Sequence, residues 1–338
     1  MNEREPLRVL WRAAPPAGNP PRVPGAVIRI AEDVEAAAEH ADWADVLIDG
    51  RASTLLDGAR LRRVVVPWAG LSPGLRDALL ERPHLRAHNS HYNAAFVAEH
   101  MVAMLLALAH RLRESDEALR RGDWGDRDRP LRSRHVGGRH ALLLGYGRIG
   151  RAAVPALHGL GLTLSALRRR PTAGVEAPTG AGPDGTDSSD EVHQIGMDEL
   201  LSTLPGVDVV LCSLPGTPAT TGIMDAAALA ALPSGALVVN VGRAAVFDED
   251  ALYEALEVGH LGGAALDVWY RYPDGKEAAR ATLPATRPFW ELPHVLMSPH
   301  RADASDESAS ARVRDVCATI AALARGEERS PIDVEAGY

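Results

Sequence analysis

The chain has 338 residues, more than one compact hydrophobic core usually contains, and this length predicts two domains. Its composition, 46% hydrophobic and 24% charged, is typical of a globular protein, and no stretch has the length and apolar character of a membrane span. The net charge of −9 argues against a nucleic-acid-binding surface, which needs clustered arginine and lysine. We expect no targeting segment and a cytoplasmic protein, with Cys212 and Cys317 as core thiols rather than a disulfide or a metal pair.

Short apolar runs alternate with helical segments in the first third of the chain. This alternation predicts a small parallel α/β domain. The predicted strands are 8–11, 27–30, 46–48 and 64–66, and the predicted helices are 34–40 and 75–82.

A single long helix is predicted from about residue 94 to 121. Its apolar stripe, which includes Val97, Met101 and Leu108, recurs at helical spacing. Gly122 and the Asp/Arg/Pro-rich stretch after it end the pattern.

The stretch 140–150, HALLLGYGRIG, combines a buried strand with a glycine loop. Residues 141–144 form the apolar run, and Gly145, Gly147 and Gly150 follow in G-x-G-x-x-G spacing before a helix at 151–160. The first glycine permits a tight turn, the second lets the backbone approach a pyrophosphate, and the third lets helix and strand pack closely. The helix N-terminus offers N–H groups to the phosphates, so we predict a dinucleotide site here.

The remainder of the chain predicts a second α/β unit that begins at this strand. Its further strands are 162–167, 208–214, 236–241, 263–268 and 295–298, and its helices are 197–201, 226–231 and 249–257. Residues 171–190 lack periodicity and predict a surface loop, and an amphipathic helix at 305–325 is predicted to return to the first domain.

Several long motifs in order resemble the D-2-hydroxyacid dehydrogenase family, which includes phosphoglycerate dehydrogenase and glyoxylate reductase. The resemblance runs nearly end to end and is carried by VAEHMVAMLLALAHR (97–111), GYGRIG (145–150), LPGTPATTGIM (214–224), VVNVGRAAVFDEDAL (238–252), GAALDV (263–268) and LPHVLMSPH (292–300). It implies two Rossmann-like or flavodoxin-like α/β domains with parallel sheets and a cleft between them. The substrate-binding domain would comprise 1–97 plus 301–338, the dinucleotide-binding domain 98–300, and a homodimer would form through the 94–121 helix.

Two residues at the carboxyl ends of strands are candidates for catalysis. Arg243 follows VVNVG, where a guanidinium can fork onto a substrate carboxylate and polarise a carbonyl. His300 ends the motif MSPH, and an imidazole can exchange the hydroxyl proton as the hydride moves. The family resemblance assigns substrate binding and polarisation to Arg243 and acid–base catalysis to His300.

The third catalytic position departs from the family pattern. The family has a glutamate before the proline in D-V-F-x-x-E-P, whereas this chain has Tyr272 there. A phenol can orient an imidazole but lacks the charge of a carboxylate, so we predict a His300 pKa below the family norm. Glu277, Glu291 and Asp303 are alternative sources of the carboxylate.

Substrate and cofactor contacts are also implied by the resemblance. Backbone N–H groups of Ala69 and Gly70 would anchor the substrate, with Arg271 as a second cation for an extra phosphate or phosphonate charge; the alternative for Arg271 is an exposed loop arginine. Asp267 would contact the nicotinamide side. The further cofactor-binding residues are Arg148, Ile149, Leu214, Pro215 and Val241, together with the glycines, Arg243 and His300.

The arginine run at 168–170 favours NADP over NAD. An NAD enzyme usually places an acidic residue at the end of the second strand to bond the ribose 2′-hydroxyl. This chain has Arg168 and Arg169 there, and guanidinium groups pair with a 2′-phosphate. The alternative is a surface charge run that accepts both cofactors.

Together these features predict an NAD(P)-dependent oxidoreductase that acts on a small anionic 2-hydroxy or 2-keto acid, without a metal. One alternative is the dehydrogenation of a hydroxyalkylphosphonate or a related phosphorus acid. An alternative of another class is a catalytically weak, dinucleotide-sensing binding protein.

Overall fold

The computed structural model describes residues 5–12, 20–51, 53–128, 133–169 and 192–335. The described residues up to Asn93 and from Ala304 onward form one compact unit, and the described residues from Ala94 to Asp303 form another. The predicted loop 171–190 and Arg170 lie outside the described residues.

The first unit is built on a five-stranded parallel sheet in the order β2-β1-β3-β4-β5, the flavodoxin-like strand order. Its strands are β1 Leu7–Arg12, β2 Ala26–Ala31, β3 Val46–Ile48, β4 Arg63–Val66 and β5 Arg86–Asn89. Its helices are α1 Val34–Ala38, α2 Pro73–Leu80 and α11 Ser308–Arg325. Alternate strand residues enter two apolar clusters, and Val316, Ile320 and Leu323 of α11 join the cluster around Val9 and Ile48.

The edge strand β5 was not predicted because its residues, RAHN, form no apolar run. The chain near the C-terminus covers this edge instead. Asn89 N–H donates to the carbonyl of Ser330 at 3.0 Å, and Ile332 N–H donates to the carbonyl of Ala87 at 2.9 Å. Edge strands covered in this way do not need alternating apolar residues.

The second unit holds a seven-stranded parallel sheet in the order β12-β11-β10-β9-β6-β7-β8. Its strands are β6 His140–Leu144, β7 Thr163–Leu167, β8 Val192–Ile195, β9 Val209–Cys212, β10 Leu237–Asn240, β11 Gly263–Leu266 and β12 Val295–Met297. Counted from β6, the order is that of a Rossmann sheet, with the direction of winding reversing between β6 and β9. Two parallel-sheet α/β domains are thus confirmed, and β8 is a strand that the sequence pattern missed.

The helices of the second unit cover both faces of this sheet. They are α3 Ala94–Ala109, α4 Leu112–Arg120, α5 Gly125–Asp128, α6 Arg148–Gly159, α7 Leu200–Thr203, α8 Ala226–Ala231, α9 Glu249–Glu257 and α10 Gly275–Ala278. The helix predicted at 197–201 is a 3-10 turn, Met197–Glu199, followed by α7.

The prediction of one continuous helix from 94 to 121 is wrong. The chain bends by 62° between α3 and α4, and Arg111 adopts a left-handed conformation with φ 52°. The Ala109 carbonyl accepts the N–H of Arg134 at 2.8 Å, so a distant segment satisfies a group at the end of α3. No single helix among the described residues is long and apolar enough to cross a membrane, and the bent pair α3–α4 meets those two criteria only jointly.

Candidate active site

The candidate site lies at the carboxyl edge of the seven-stranded sheet. All neighbouring strands are parallel, so the loops after β6, β9, β10, β11 and β12 emerge at the same edge. Open α/β sheets bind ligands at this edge, where the winding direction reverses. These five loops carry the predicted glycines, Leu214, Arg243, Asp267 and His300, respectively.

Each glycine of the loop after β6 has a distinct structural reason. Gly145 has φ +104°, a region that side chains rarely adopt. A Cβ at Gly150 would lie 2.4 Å from the carbonyl oxygen of Gly145, which requires helix and strand to pack without a side chain. Gly147 has φ −85°, and a Cβ there would meet no atom of the described residues within 4 Å.

Gly147 therefore faces open space rather than protein, and neither its backbone conformation nor packing requires a glycine. It also caps the N-terminus of α6, so the first-turn N–H groups, which include those of Arg148 and Ile149, lie at the positive end of the helix dipole. A cradle that a Cβ would fill, at a helix N-terminus, fits a dinucleotide pyrophosphate.

The neighbouring loops close around the glycine turn. Ser213 donates its hydroxyl to the Gly145 carbonyl at 3.2 Å, and the Leu214 backbone lies 3.3 Å from the position of a Gly145 Cβ. A Cβ at Gly242 would lie 2.5 Å from the carbonyl of Leu214. Leu214 and the adjacent Pro215 thus belong to a loop in direct contact with the predicted cofactor turn, and Val241 belongs to the next loop, which packs against Leu214 through Gly242.

Arg243 is exposed at the end of the β10 loop. The side chain of the buried Asn240 holds this loop by accepting the N–H of Gly242 and donating to the carbonyl of Arg243, both at 3.0 Å. The Arg243 guanidinium donates to the carbonyl of Gly242 at 2.7 Å. A buried amide thus fixes the backbone that carries an exposed cation.

His300 has a left-handed backbone with φ 53°, a conformation that a residue other than glycine seldom adopts. Loss of hydration lowers the pKa of His300, and the positive charge of Arg243 lowers it further. The carboxylates of Asp267 and Asp303 act in the opposite direction. Asp303, one of the three carboxylates considered in place of the family's glutamate, thus raises the pKa of His300. Among the described residues, Glu277 and Glu291 do not contribute to the pKa shift of His300.

Asp267 is fully buried and holds the loop after β12 in place. Its carboxylate accepts the N–H of Arg301 at 2.9 Å, the N–H of Ala302 at 3.1 Å and the hydroxyl of Ser298. His100 of α3 completes the cluster, with Nε2 3.7 Å from the carboxylate and 3.4 Å from the Ser298 hydroxyl. These bonds constrain the chain on both sides of His300. The contributions of Ser298 and His100 were not predicted, because neither belongs to a motif that indicates them.

Tyr272 lies beside His300 but does not contact it as a glutamate would. The two ring centroids are 5.5 Å apart at an interplanar angle of 54°. The phenol oxygen accepts the backbone N–H of Trp269 at 3.1 Å. Burial raises the pKa of Tyr272, so this position supplies a neutral ring contact rather than a charge.

The remaining predicted residues lie in two places. Arg271 is exposed, and its N–H donates to the carbonyl of Pro284 at 2.8 Å. Ala69 and Gly70 lie in the first unit, in the turn after β4, where the side chain of Asn89 donates to the Ala69 carbonyl at 3.0 Å. Both turn residues are half-buried, so their backbone is partly open to solvent.

The arginines after β7 have a partner that the sequence pattern missed. Arg168 is half-buried and donates from one terminal nitrogen to the side-chain oxygen of Gln194 at 3.0 Å, while Arg169 is exposed. Gln194 belongs to strand β8, which was not predicted. A polar side chain inside a strand was the feature of the sequence that could have indicated a partner for Arg168.

Comparisons with known proteins agree with this geometry. The family described as "D-isomer specific 2-hydroxyacid dehydrogenase, NAD binding domain" matches residues 102–302. A glyoxylate/hydroxypyruvate reductase B from Pectobacterium carotovorum is 32% identical over 251 residues, covering 74% of this chain and 71% of that protein. A D-3-phosphoglycerate dehydrogenase from Mycobacterium leprae is 29% identical, covering 82% of this chain. The chain spans only 47% of the length of that relative and 34% of a chloroplastic phosphoglycerate dehydrogenase from Arabidopsis thaliana.

Solved structures share the fold over almost the whole chain. A D-isomer specific 2-hydroxyacid dehydrogenase from Xanthobacter autotrophicus Py2, solved with NADPH and MES, has a TM-score of 0.73 at 24% identity and covers 99% of this chain and 100% of its own. The family match extends over more than half of the chain and includes the glycine loop, Arg243 and His300. This chain belongs to the D-isomer specific 2-hydroxyacid dehydrogenase family.

Proposed function

We propose that this chain is an NADP-preferring reductase of small 2-keto acids that also oxidises the corresponding 2-hydroxy acids. One observation carries the proposal: the charge of Arg243 acts on His300 at the same sheet edge as an open glycine cradle. This juxtaposition joins a carboxylate-binding cation, a proton-transfer group and a dinucleotide site. The similarity to glyoxylate/hydroxypyruvate reductase B supports glyoxylate and hydroxypyruvate as the first substrates to test.

Gly145, Gly147 and Gly150, with the first turn of α6, would hold the pyrophosphate. The contacting loops would line the rest of the cofactor site with Leu214, Pro215 and Val241. When bound, the nicotinamide supplies the hydride for reduction or accepts it in oxidation. Arg168 and Arg169 support NADP because guanidinium groups pair with a 2′-phosphate, and Arg168 stands at the sequence position where an NAD enzyme usually has an acidic residue.

Arg243 would bind the substrate carboxylate with two parallel N–H donors and polarise the adjacent carbonyl. The exposed position of its side chain, on a loop fixed by Asn240, suits this role. Ala69 and Gly70 would add backbone N–H donors from the substrate-binding domain.

His300 would donate a proton to the alkoxide that forms as the keto acid is reduced, and accept it back during oxidation. Asp267 holds the loop of His300 and supplies part of the negative charge that supports its protonated form. Tyr272 would orient the imidazole through ring contact without adding charge.

The test is substrate-dependent oxidation of NADPH and of NADH, with glyoxylate, hydroxypyruvate and a phosphonate aldehyde in parallel. The expected result is turnover of a 2-keto acid with a higher kcat/KM for NADPH than for NADH. His300→Asn should still bind NADPH through the glycine loop while losing roughly 10²–10⁴-fold in turnover.

Tight dinucleotide binding without turnover on any of these compounds would contradict the proposal and favour a sensing protein. Turnover of the phosphonate aldehyde alone would favour a phosphorus-acid substrate recognised through Arg271. Equal kcat/KM for the two cofactors would contradict the NADP preference only.

We also propose a homodimer formed through the segment 94–121. Leu112 and Leu119, one heptad apart on α4, are 56% and 50% exposed, and Trp124 beyond the helix is 65% exposed. Large apolar side chains exposed together favour a protein interface, and a second copy of this chain is the partner that the family resemblance implies.

A further inference from the structure

The turn after β4 is held from one side by two successive residues at the end of β5. The side-chain amide of Asn89 donates to the carbonyl of Ala69 at 3.0 Å. The N–H of Ser90 donates to the carbonyl of Val66 at 3.0 Å and, at the longer distance of 3.4 Å, to that of Trp68. The carbonyl groups of Trp68 and Ala69 therefore point toward the end of β5.

The planarity of the peptide bond then fixes the direction of the N–H groups on the same turn. The carbonyl and the N–H of a trans peptide point in opposite directions, and the bonds that join Trp68, Ala69 and Gly70 are trans. The N–H groups of Ala69 and Gly70 therefore point away from the end of β5. In the part of the chain that the structure describes, neither N–H has a hydrogen-bond partner, although both residues are half-buried.

Successive backbone N–H groups in a turn form a site for an anion. Each N–H that lacks a protein acceptor needs another acceptor when it is removed from water. In the proposed function, the carboxylate of the keto acid is that acceptor.

Asn89 is itself fixed by burial and by the chain near the C-terminus. It is only 3% exposed, and its backbone N–H donates to the carbonyl of Ser330 at 3.0 Å. The hydroxyl of the adjacent Ser90 donates to the carboxylate of Asp315 at 2.6 Å, and Asp315 also accepts from the guanidinium of Arg329 at 2.5 Å. The two residues that hold the turn are therefore tied to α11 and to the segment after it.

We propose that Asn89 is a positioning residue for substrate binding, which turns the N–H groups of Ala69 and Gly70 toward the carboxylate of the 2-keto acid. The inference rests on the proposed function, in which these two residues bind the substrate. N–H groups that already point at the ligand lose little freedom when it binds. Asn89 acts through the backbone of the turn, so its loss weakens the binding of the keto acid and not that of the dinucleotide.

The experiment measures steady-state kinetics with glyoxylate and hydroxypyruvate, and the dissociation constant of NADPH, for wild type, Asn89→Ala and Asn89→Asp. Alanine removes the amide without adding charge, whereas aspartate keeps the shape of the side chain but replaces the donor with an acceptor. We expect KM for the keto acid to rise roughly tenfold in Asn89→Ala, because the Ala69 carbonyl loses its donor and the turn is no longer held. The rise should be larger in Asn89→Asp, because two acceptor oxygens then face each other.

The other kinetic constants distinguish positioning of the substrate from a general loss of structure. The value of kcat should stay within about threefold of the wild type, because the carboxylate is bound equally in the ground state and in the transition state. The dissociation constant of NADPH should stay within about twofold in both Asn89 variants.

Val9→Ala is the matched control, because the Val9 side chain is fully buried in the core of the same unit and is apolar. It should lower the temperature of thermal unfolding but leave KM unchanged. An unchanged KM in both Asn89 variants, an equal rise in Val9→Ala, or NADPH binding that weakens as much as KM rises would overturn the role of Asn89, while the wild type still reduces the keto acid. A wild type that reduces no 2-keto acid would overturn the proposed function and this inference together.

Discussion

Three charged side chains act on the His300 imidazole, and together with lost hydration they determine when it titrates. Desolvation and Arg243 lower the pKa of His300, against the opposing charges of Asp267 and Asp303. Reduction requires the protonated imidazole, so its rate should fall as the pH rises through a pKa below the ordinary histidine value. Oxidation requires the neutral imidazole and should therefore persist to lower pH than with an ordinary histidine.

Replacing Tyr272 with glutamate should place a negative charge next to His300, where the tyrosine ring is neutral. A carboxylate next to His300 favours the imidazolium, so the pKa of His300 should rise, although solvent moderates the effect because the position is half exposed. The declining limb of kcat/KM for keto acid reduction should move to higher pH by the same amount.

Tyr272→Phe is the control, because it removes the hydroxyl that accepts from Trp269 without adding charge. The declining limb of kcat/KM for Tyr272→Phe should stay at the same pH as in the wild type. A Tyr272→Glu limb that does not move would show that this side chain is not electrostatically coupled to His300.

Two substitutions of Arg243 should separate its shape from its charge. Arg243→Lys keeps the cation but loses the two parallel donors, so KM for the keto acid should rise roughly 10- to 100-fold with little movement of the pH limb. Arg243→Gln removes a charge that lowers the pKa of His300, so its residual activity should decline at higher pH than in wild type. Steady-state kinetics across pH measures both effects; a wild-type KM in Arg243→Lys would exclude bidentate binding of the substrate.

At the scale of elements, the glycine loop offers a matched pair of substitutions. A methyl group at Gly147 meets no atom within 4 Å in the part of the chain that the structure describes, whereas one at Gly150 lies 2.4 Å from the carbonyl oxygen of Gly145. Gly147→Ala should cost no more than about 1 kcal/mol of stability, because alanine is a poorer N-cap than glycine, but it should weaken dinucleotide binding at least ~10-fold. Gly150→Ala should cost about 1–3 kcal/mol of stability.

Thermal unfolding and calorimetric titration with NADP+ distinguish the two variants. Unchanged dinucleotide affinity in Gly147→Ala would mean that the pyrophosphate does not approach this turn.

The predicted strands with apolar runs are all present, since a strand buried on both faces of a parallel sheet must be apolar. The runs RAHN and VHQI escaped prediction because they contain buried polar side chains, and those of His88, Asn89 and Gln194 have hydrogen-bond partners that the sequence does not show. The bend between α3 and α4 escaped as well, because no glycine or proline marks it and a distant N–H, that of Arg134, satisfies the end of α3.

In the candidate site, residues next to predicted strands could be located, whereas their contacts could not. Arg243 and His300 could be located from sequence because each directly follows a recognisable strand. The contacts around them depend on loop conformation. The Tyr272 hydroxyl turns to a backbone N–H, and the Asp267 carboxylate faces the loop of His300, neither of which the spacing of residues specifies.

At the scale of the whole molecule, the exposed apolar face of α4 predicts a homodimer. Glutamate at both Leu112 and Leu119 should convert a dimer into a monomer, because burying two unpaired carboxylates in an interface is costly. Light scattering after size-exclusion chromatography measures the mass. Val258→Glu is a control, because Val258 is 76% exposed on the chain after α9. A double variant that remains dimeric would place the interface elsewhere.

The most direct test of the proposed function follows the hydride itself. Enzyme, hydroxypyruvate or glyoxylate, and NADPH carrying two deuterium atoms at C4 of the nicotinamide are mixed, and the product is analysed by mass spectrometry. We predict one deuterium on C2 of the resulting 2-hydroxy acid, and none above background with His300→Asn over the same time. Bound NADPH that stays fully deuterated, with no labelled hydroxy acid, would contradict the assignment of this chain as a 2-keto acid reductase.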